Sequence, residues 1–286
     1  MITFHDFSYA YPTSEAPVLH GVDLRIRPGR FHGLVGPSGS GKSTLAFAAA
    51  GFIPHAQGGE HTGSVTVDER IVADTPLPEL VTRVGLVQQD PFNQISGARF
   101  SVREELAFGL ENLGVEHAEM RHRVAEVLEL LRIEHLADRS PYELSGGQQQ
   151  VVAVGSMLVM RPEALILDEP TSQLDPAGSR MVVESLAAIR ESGMTVLLIE
   201  HKLELLADHA DELHVLVDGR IVAEGEPGRI LTDARMAGWG LGATRFTTAA
   251  AEARRDGLWE QDRRLPVTLD AAAEGFRGVL EGKAGA

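Results

Sequence analysis

A glycine-rich segment near the start of the chain carries residues suited to binding a phosphate group. It runs Gly36-Pro37-Ser38-Gly39-Ser40-Gly41-Lys42-Ser43-Thr44 and matches the pattern G-x-x-x-x-G-K-[ST]. Glycines at these positions let backbone N–H groups face phosphate oxygens, and a following helix start adds partial positive charge. The Lys42 ammonium would reach the outer phosphates, and the Ser43 hydroxyl would bind Mg²⁺. Lys42 is the only lysine in residues 1–200, which indicates that a compact ammonium is required there.

Two adjacent carboxylates, Asp168 and Glu169, follow the apolar run 164–167 and suit a metal ion and a water molecule. An apolar strand that ends in an acidic residue places the carboxylate at the edge of a sheet where α/β proteins bind ligands. There Asp168 would hold Mg²⁺ through water, and Glu169 would polarise the water that attacks a terminal phosphate. Alone, the pair would be more typical of an acidic turn before Pro170. The glycine-rich segment makes the catalytic interpretation the better one.

Short apolar runs separated by longer helical stretches indicate the elements that position these residues. The runs without polar alternation are Phe31–Val35, Val84–Val87, 164–167 and Thr195–Ile199. Such runs are typical of strands covered on both faces. They predict fold class α/β, with a parallel sheet and crossover helices. The glycine-rich segment lies between the first run and a helical stretch at 45–50, the order that a phosphate-binding loop requires.

Composition excludes several classes of protein. The 286 residues carry 26 basic and 41 acidic side chains, a formal net charge of −15, so a nucleic-acid partner or an anionic lipid surface is not expected. The absence of cysteine excludes disulfides, thiolate nucleophiles and cysteine-based zinc sites. The first residues do not resemble a leader peptide, and no apolar run reaches the ~18 to 20 residues needed to span a bilayer. These features predict a soluble, cytoplasmic chain.

Charge and composition also divide the chain. Residues 236–286 carry seven basic and seven acidic side chains, and residues 1–235 therefore hold the whole negative charge. From Ser101 to Met160 the pattern is helical and begins with a capping-box sequence at 101–104. We therefore expect a main domain at 1–235, with a helical subdomain inserted at about 95–160, and a short C-terminal helical extension at 236–286.

A second glycine-containing segment identifies a family when it is taken with the other two sites. Leu144-Ser145-Gly146-Gly147-Gln148 precedes a helical run and offers a hydroxyl and exposed backbone N–H groups to an anion. Alone it would indicate only a capped helix start. With the glycine-rich loop and the acidic pair it closely resembles the signature of ATP-binding cassette (ABC) ATPases, over roughly residues 1–230. A P-loop kinase fits less well, because such an enzyme has no use for residues 144–148.

The resemblance implies a P-loop NTPase fold with a RecA-like core, an N-terminal antiparallel β part and a helical signature subdomain, and it implies ATP and Mg²⁺ as ligands. Gln89 resembles the Q-loop glutamine, which contacts Mg²⁺ and the attacking water, with Gln88 as the competing assignment. His201 resembles the switch histidine that contacts the terminal phosphate. Asp175, in the stretch 172–175, resembles the aspartate of the D-loop, which crosses the dimer interface.

Tyr11, before Pro12, resembles the aromatic residue that stacks on adenine, with Tyr9 as the competing assignment. There are also departures from the family pattern. Val151 stands where members often have a basic residue, and Gly155-Ser156 stand where they often have an Ala-Arg pair. The nucleotide positions are intact, so ATPase activity is expected, whereas the packing of the signature helix is in doubt.

The resemblance further implies a subunit that hydrolyses ATP to power a membrane transporter. In the family, the signature of one subunit closes over the nucleotide of another, so a second ATPase subunit is expected, identical or different. A transmembrane coupling or permease subunit would supply the path and hold the chain at the cytoplasmic face of the membrane. Gln94 and the stretch 101–109 resemble energy-coupling factor (ECF) ATPases, which drive uptake of vitamins or of metal ions such as cobalt or nickel with a substrate-binding membrane subunit.

Two other functions are open on the sequence alone. The ATPase of a conventional ABC importer or exporter would share every nucleotide residue, and only the surroundings of Gln94 and the C-terminal extension argue against it. A soluble ABC ATPase of nucleic-acid repair or translation would usually need a coiled-coil insertion or tandem cassettes, and the sequence has neither.

Overall fold

The computed structural model describes residues 1–14 and 16–284, and within them ten strands form two sheets. The strands are β1 (Ile2–Ala10), β2 (Leu19–Ile26), β3 (Phe31–Val35), β4 (Glu60–Val67), β5 (Arg70–Ile71), β6 (Val84–Val87), β7 (Ala164–Asp168), β8 (Thr195–Ile199), β9 (Glu212–Val217) and β10 (Arg220–Gly225). The smaller sheet has the order β2-β1-β4-β5 and is antiparallel. The larger has the order β10-β9-β3-β8-β7-β6, in which only β10 runs antiparallel to its neighbour. The α/β class and the N-terminal antiparallel part are confirmed.

The central strands of the larger sheet are buried on both faces, as their apolar runs predict. Leu165 and Leu167 of β7 belong to a core shared with the long helices. Ala164 and Ile166 belong to a second core, shared with the antiparallel sheet and the helix after the glycine-rich loop. Because side chains alternate along a strand, one apolar run supplies both cores. The strand bounds follow: β3, β6 and β8 match the predicted runs, and β7 extends by one residue to include Asp168.

Eleven α-helices occur in the described part of the chain. They are α1 (Lys42–Ala49), α2 (Phe52–His55), α3 (Leu77–Leu80), α4 (Val102–Asn112), α5 (His117–Leu130), α6 (Gly146–Leu158), α7 (Pro176–Glu191), α8 (Leu203–His209), α9 (Pro227–Ile230), α10 (Arg245–Arg255) and α11 (Leu269–Ala284). Short 3-10 turns lie at Val72–Asp74, Pro91–Asn93, Glu134–Leu136, Pro141–Glu143 and Ala237–Trp239. None of these helices is both long and apolar enough to cross a bilayer.

The helical stretch between β6 and β7 begins as expected but with a modified cap. The Ser101 hydroxyl accepts a hydrogen bond from Glu104 N at the start of α4 (3.3 Å). The Glu104 carboxylate accepts from Phe100 N (3.0 Å) rather than from Ser101 N. Half of the capping box therefore forms, and its other half is displaced by one residue toward the N-terminus.

The C-terminal extension forms two helices with a small core of their own. Trp259 packs between α10 and α11 against a few small and apolar side chains, namely Ala250, Ala253, Leu265 and Phe276. The first residues of the extension pack differently, because Met236 is buried in the core of the main body and Trp239 and Leu241 lie against it. Arg245 N also donates to the Glu204 carboxylate of α8 (3.0 Å). The extension is thus anchored to the main body, and the boundary near Met236 stays a prediction.

Candidate functional site

The glycine-rich loop, residues 36–44, turns from β3 into α1 at the carboxyl end of the strand. Gly36 has no room for a side chain, because a Cβ there would lie 2.1 Å from the Leu216 carbonyl oxygen. Gly41 has a φ of 102° and directly precedes α1, a conformation that favours glycine. The loop therefore presents backbone N–H groups and a helix start together, an arrangement that binds phosphate.

Lys42 is buried within this loop. Its Nζ donates to the carbonyl oxygens of Gly36 (2.9 Å) and Pro37 (3.0 Å). Burial lowers the pKa of Lys42, and the carboxylates of Glu169 and Asp168 oppose that shift. The only lysine in residues 1–200 is thus in electrostatic contact with both predicted acidic residues.

The other side chains of the loop divide between solvent and interior. Ser38, Gly39 and Ser43 are exposed, whereas Ser40 and Thr44 are buried. The exposed Ser43 hydroxyl, one residue into α1, is accessible to a ligand.

Tyr11, rather than Tyr9, has an accessible ring beside this loop. Tyr11 is half-buried, and its hydroxyl lies 3.0 Å from Thr44 Oγ1. Tyr9 is only 1% exposed, and its hydroxyl donates to Gly58 O (2.9 Å). A ring that stacks on a base must offer a free face, so the geometry favours Tyr11 for the adenine contact.

Asp168 is the last residue of β7, and its buried carboxylate has the properties of a metal ligand. Burial raises the pKa of Asp168, while the Ser43 hydroxyl and the Lys42 ammonium favour its charged form. Its Oδ1 atom is buried and makes no hydrogen bond to any described residue. Mg²⁺ prefers oxygen ligands, so this carboxylate and the hydroxyl beside it fit that ion.

Glu169 and His201, predicted as catalytic residues, meet at the same edge of the sheet. Glu169 follows β7 and His201 follows the neighbouring β8. Glu169 Oε1 lies 2.8 Å from His201 Nε2. Glu169 N also donates to Ile199 O, the last residue of β8 (2.9 Å). Parallel strands that end side by side have therefore joined residues that are 32 positions apart in sequence.

Gln89 is exposed two residues beyond β6, in a loop closed by the side chain of Gln94. Gln94 Oε1 accepts from Gln88 N (2.8 Å), and Gln94 Nε2 donates to Leu86 O (2.8 Å). The loop is thereby fastened to the end of β6, the strand next to β7. Gln89 stays the predicted Q-loop residue, and Gln94 acquires a structural role that its position alone did not show.

The signature segment forms a capped helix start with one exposed and one buried glycine. Ser145 Oγ accepts from Gln148 N (3.4 Å), and Gln148 Oε1 accepts from Ser145 N (3.0 Å), so a full capping box opens α6. Ser145 and Gly146 are exposed. Gly147 is buried against α7, and it has no room for a side chain, because a Cβ there would lie 2.2 Å from Gly178 Cα. Gly147 lets the two helices meet, and the binding of an anion by the N–H groups of this segment stays a prediction.

Asp175 lies beside the signature, at the start of α7. It is exposed, and its Oδ1 accepts from Gly178 N (2.6 Å). Among the described residues, Ser145, Gln148 and Asp175 form no hydrogen bond to the glycine-rich loop. The signature and Asp175 lie at the starts of α6 and α7, whereas the loop lies between β3 and α1.

The departures from the family pattern are accommodated inside α6. Val151 is buried, and a Cβ on Gly155 would lie 2.9 Å from the Leu106 side chain of α4. Ser156 Oγ donates to Val152 O within the helix (3.1 Å). The glycine at position 155 allows close packing of α6 on α4, and Val151 belongs to the same apolar core.

Three further residues, not selected from the sequence, surround Glu169 and His201. Glu200 is buried and accepts hydrogen bonds from Thr171 and His201 N. Lys202 Nζ donates to Thr171 O (3.1 Å). The sequence offered one signal for Glu200, a carboxylate at the end of a strand directly before the candidate histidine His201. That signal is weak, because no characteristic spacing distinguishes such a residue from an ordinary surface carboxylate.

Comparison with known proteins agrees with this geometry. The sequence profile of the ABC transporter family matches residues 19–172. The energy-coupling factor transporter ATP-binding protein EcfA2 of Streptococcus sanguinis is 36% identical over 286 aligned positions, which cover 98% of this chain and 99% of that protein. The structure of cbiO1 from Clostridium perfringens, part of the ABC transporter complex cbiONQ, matches with a TM-score of 0.74 at 28% identity and covers 90% of this chain and 96% of its own.

A dimeric ATP-binding cassette in a post-hydrolysis state, bound to ADP and Pi, matches with a TM-score of 0.66 at 28% identity, covering 79% of this chain and 99% of its own. The glycine-rich loop, the acidic pair with His201, and the signature all lie on a fold shared with these cassettes. The chain belongs to the ABC transporter family and is one of its nucleotide-binding, ATP-hydrolysing subunits.

Proposed function

We propose that this chain is an ATPase subunit of an energy-coupling factor importer for a vitamin or a transition-metal ion. One observation carries the subtype: the similarity to EcfA2 extends over 98% of the chain and so includes the C-terminal extension, beyond the family match at 19–172. A conventional importer or exporter subunit would share the loop and the signature, but it would not account for similarity across the extension.

The nucleotide is ATP, bound with Mg²⁺. The loop N–H groups and Lys42 hold the phosphates, and the free face of Tyr11 stacks on adenine. Ser43 and Asp168 are the residues that would hold Mg²⁺, which neutralises charge that develops on the phosphates. The buried Asp168 Oδ1 without a hydrogen-bond partner among the described residues supports this assignment.

Hydrolysis depends on the pair Glu169 and His201. Glu169 accepts a proton from the attacking water, and His201, whose Nε2 lies 2.8 Å from Glu169 Oε1, keeps the carboxylate oriented and contacts the terminal phosphate. Gln89 reaches the same edge from the end of β6 and positions that water and Mg²⁺. General-base catalysis typically contributes about 10²- to 10⁴-fold, which sets the loss expected when Glu169 becomes Gln.

The working site forms between two ATPase subunits. Ser145, Gly146 and Asp175 are exposed, and Ser145 and Asp175 form no hydrogen bond to the described residues of their own loop, so they are available to contact the nucleotide of a second subunit. That subunit is a second copy or a different ATPase chain. ATP stabilises the closed pair and hydrolysis releases it, which couples chemistry to a two-state assembly.

A membrane coupling subunit docks on an aromatic patch beside the Q-loop, at the cytoplasmic face of the membrane. The exposed aromatic residues of this region are Phe92 and Tyr142, with Phe100 further along the same loop; they are 59%, 51% and 88% exposed. The Phe92 and Tyr142 rings pack edge to face with centroids 6.2 Å apart. Exposed aromatic clusters mark interaction sites. Gln94 ties this loop to β6, so displacement of Phe92 is transmitted to Gln89.

Co-purification from the native membrane in detergent, followed by mass spectrometry, tests this function. We expect a coupling membrane protein together with a substrate-binding membrane subunit. Phe92→Ser with Phe100→Ser should abolish that recovery and preserve ATP binding, whereas Ile71→Ser, at an exposed apolar residue on the other sheet, should preserve both. Recovery of a conventional permease pair would replace the subtype, and recovery of soluble nucleic-acid proteins alone would refute the transport function.

A further inference from the structure

Glu200 is a buried carboxylate that joins the two loops carrying Glu169 and His201. It is 2% exposed and lies directly after β8. Its Oε1 accepts from Thr171 Oγ1 (2.5 Å) and Thr171 N (3.2 Å). Its Oε2 accepts from His201 N (3.0 Å) and Lys202 N (3.3 Å). One rigid group thus takes two donors from the turn after β7 and two from the turn after β8.

The neighbours of Glu200 complete a three-point attachment between these turns. The His201 ring contacts the Glu169 carboxylate (2.8 Å), and Lys202 Nζ donates to Thr171 O (3.1 Å). Residues 200–202, which we call the clamp, therefore hold residues 169–171 through three consecutive side chains.

The turn that the clamp holds is strained at the residue proposed to do chemistry. Glu169 has a φ of 49°, in the left-handed region that side chains other than glycine rarely adopt. Such a conformation persists only where surrounding contacts enforce it. A buried carboxylate is likewise tolerated only when its oxygens are hydrogen-bonded, and all four donors to Glu200 come from the two turns.

We propose that Glu200 is a positioning residue for ATP hydrolysis, which fixes the distance and orientation between Glu169 and His201. The proposal rests on the catalytic roles proposed above for those two residues. Glu200 does not contact the reacting atoms. It acts by holding the strained turn of Glu169 against the backbone of His201, so that base and histidine move as one unit.

The perturbation that isolates this role is Glu200→Gln. The glutamine keeps the size of the side chain and one acceptor oxygen, but its NH₂ group would face N–H donors from one of the two turns. The two turns can then no longer be held by one group. Misplacement of a catalytic group by about 1 Å costs on the order of 10²-fold in rate. We expect kcat to fall about 10- to 100-fold, while ATP affinity stays within about twofold.

Two variants of Thr171 supply the matched comparison on the other side of the contact. Thr171→Ser keeps the hydroxyl that donates to Glu200, and kcat should stay within about threefold of wild type. Thr171→Val removes the hydroxyl at nearly constant size, and kcat should fall as in Glu200→Gln. The double variant Glu200→Gln/Thr171→Val should be little slower than either single variant, because both break one contact.

The experiment measures steady-state hydrolysis and ATP affinity of the complex purified with its membrane partners, for these variants and for Glu169→Gln. A low kcat with intact affinity in Glu200→Gln, and retained kcat in Thr171→Ser, supports positioning. A wild-type kcat in Glu200→Gln would overturn the positioning role. A loss of ATP affinity and thermal stability in proportion to the loss of kcat would also overturn it, because that result is expected of a purely structural residue. Wild-type turnover in Glu169→Gln would instead refute the catalytic assignment, so the two failures are distinguishable.

Discussion

Gly147→Ala is expected to destabilise the protein although it places a better helix former in a helix. A Cβ at this position would lie 2.2 Å from Gly178 Cα and 3.1 Å from its carbonyl carbon. Carbon atoms pack at about 3.5 to 4.0 Å, so α6 and α7 would have to separate by about 1.5 Å. Both Gly178 atoms that the new Cβ would meet belong to the backbone and cannot rotate away. Overpacking of this kind typically costs about 1 to 3 kcal/mol of stability. The helix propensity gained, about 1 kcal/mol, offsets only part of that cost.

Gly146→Ala is the matched control, one residue earlier in the same helix turn. Its Cβ would lie 3.5 Å from a methyl group of Leu174, an ordinary contact. Urea unfolding followed by circular dichroism, without nucleotide, should therefore rank Gly146→Ala at or above wild type and Gly147→Ala below it. Equal unfolding free energies for the two variants would refute the assignment of Gly147 to helix packing.

Tyr11→Ala should weaken ATP binding by about 1 to 3 kcal/mol, the usual value of one stacked base, whereas Tyr11→Phe should not; equal affinities by calorimetry would remove Tyr11 from the adenine site. The buried pair His32 and His214 should make the fold acid-labile. Arg27 N donates to His32 Nε2 (2.9 Å) and the His32 and His214 rings share a hydrogen bond (3.0 Å), while burial, aided by His32, lowers the pKa of His214 to about 3. The His214 ring of the unfolded chain takes up a proton near pH 6.5, whereas the ring in the folded chain does not, so the free energy of unfolding falls as the pH drops below 6.5, by about 2 kcal/mol at pH 5. His214→Asn should reduce this pH dependence of the unfolding free energy in urea titrations, and an unchanged pH dependence would contradict the role of His214. A chain that ends at Gly242 keeps Met236 in the main core and should retain ATP binding, while its dimerisation or its coupling to transport is altered. A chain that ends at Arg235 lacks Met236 and should be less stable. Unchanged light scattering and transport in the chain that ends at Gly242 would show that the extension has no role in either.

Local patterns predicted much of the fold. The run Val84–Val87 specifies β6 because a strand covered on both faces is apolar at every position. The glycine-rich loop is equally local, because its whole pattern lies within the nine residues 36–44. The contact between Glu169 and His201 was not predicted, and it forms because the parallel strands β7 and β8 end side by side.

Contacts between distant segments were not predictable. The approach of Gly147 to Gly178 depends on how α6 crosses α7, and neither glycine has a pattern that reveals its partner. Likewise His32 and His214 are 182 positions apart and meet only because β3 pairs with β9. Glu200 is a similar case, because a single carboxylate acquires its four donors from two turns that the sheet brings side by side.

The most direct test of an ATPase site built on Glu169 is the rate of Mg²⁺-dependent ATP hydrolysis by Glu169→Gln in the complex purified with its membrane partners. With ATP binding measured in the same preparation, the rate should fall by about 10²-fold or more while binding is retained and the closed subunit pair accumulates. Hydrolysis within a few-fold of wild type would contradict the catalytic role of Glu169.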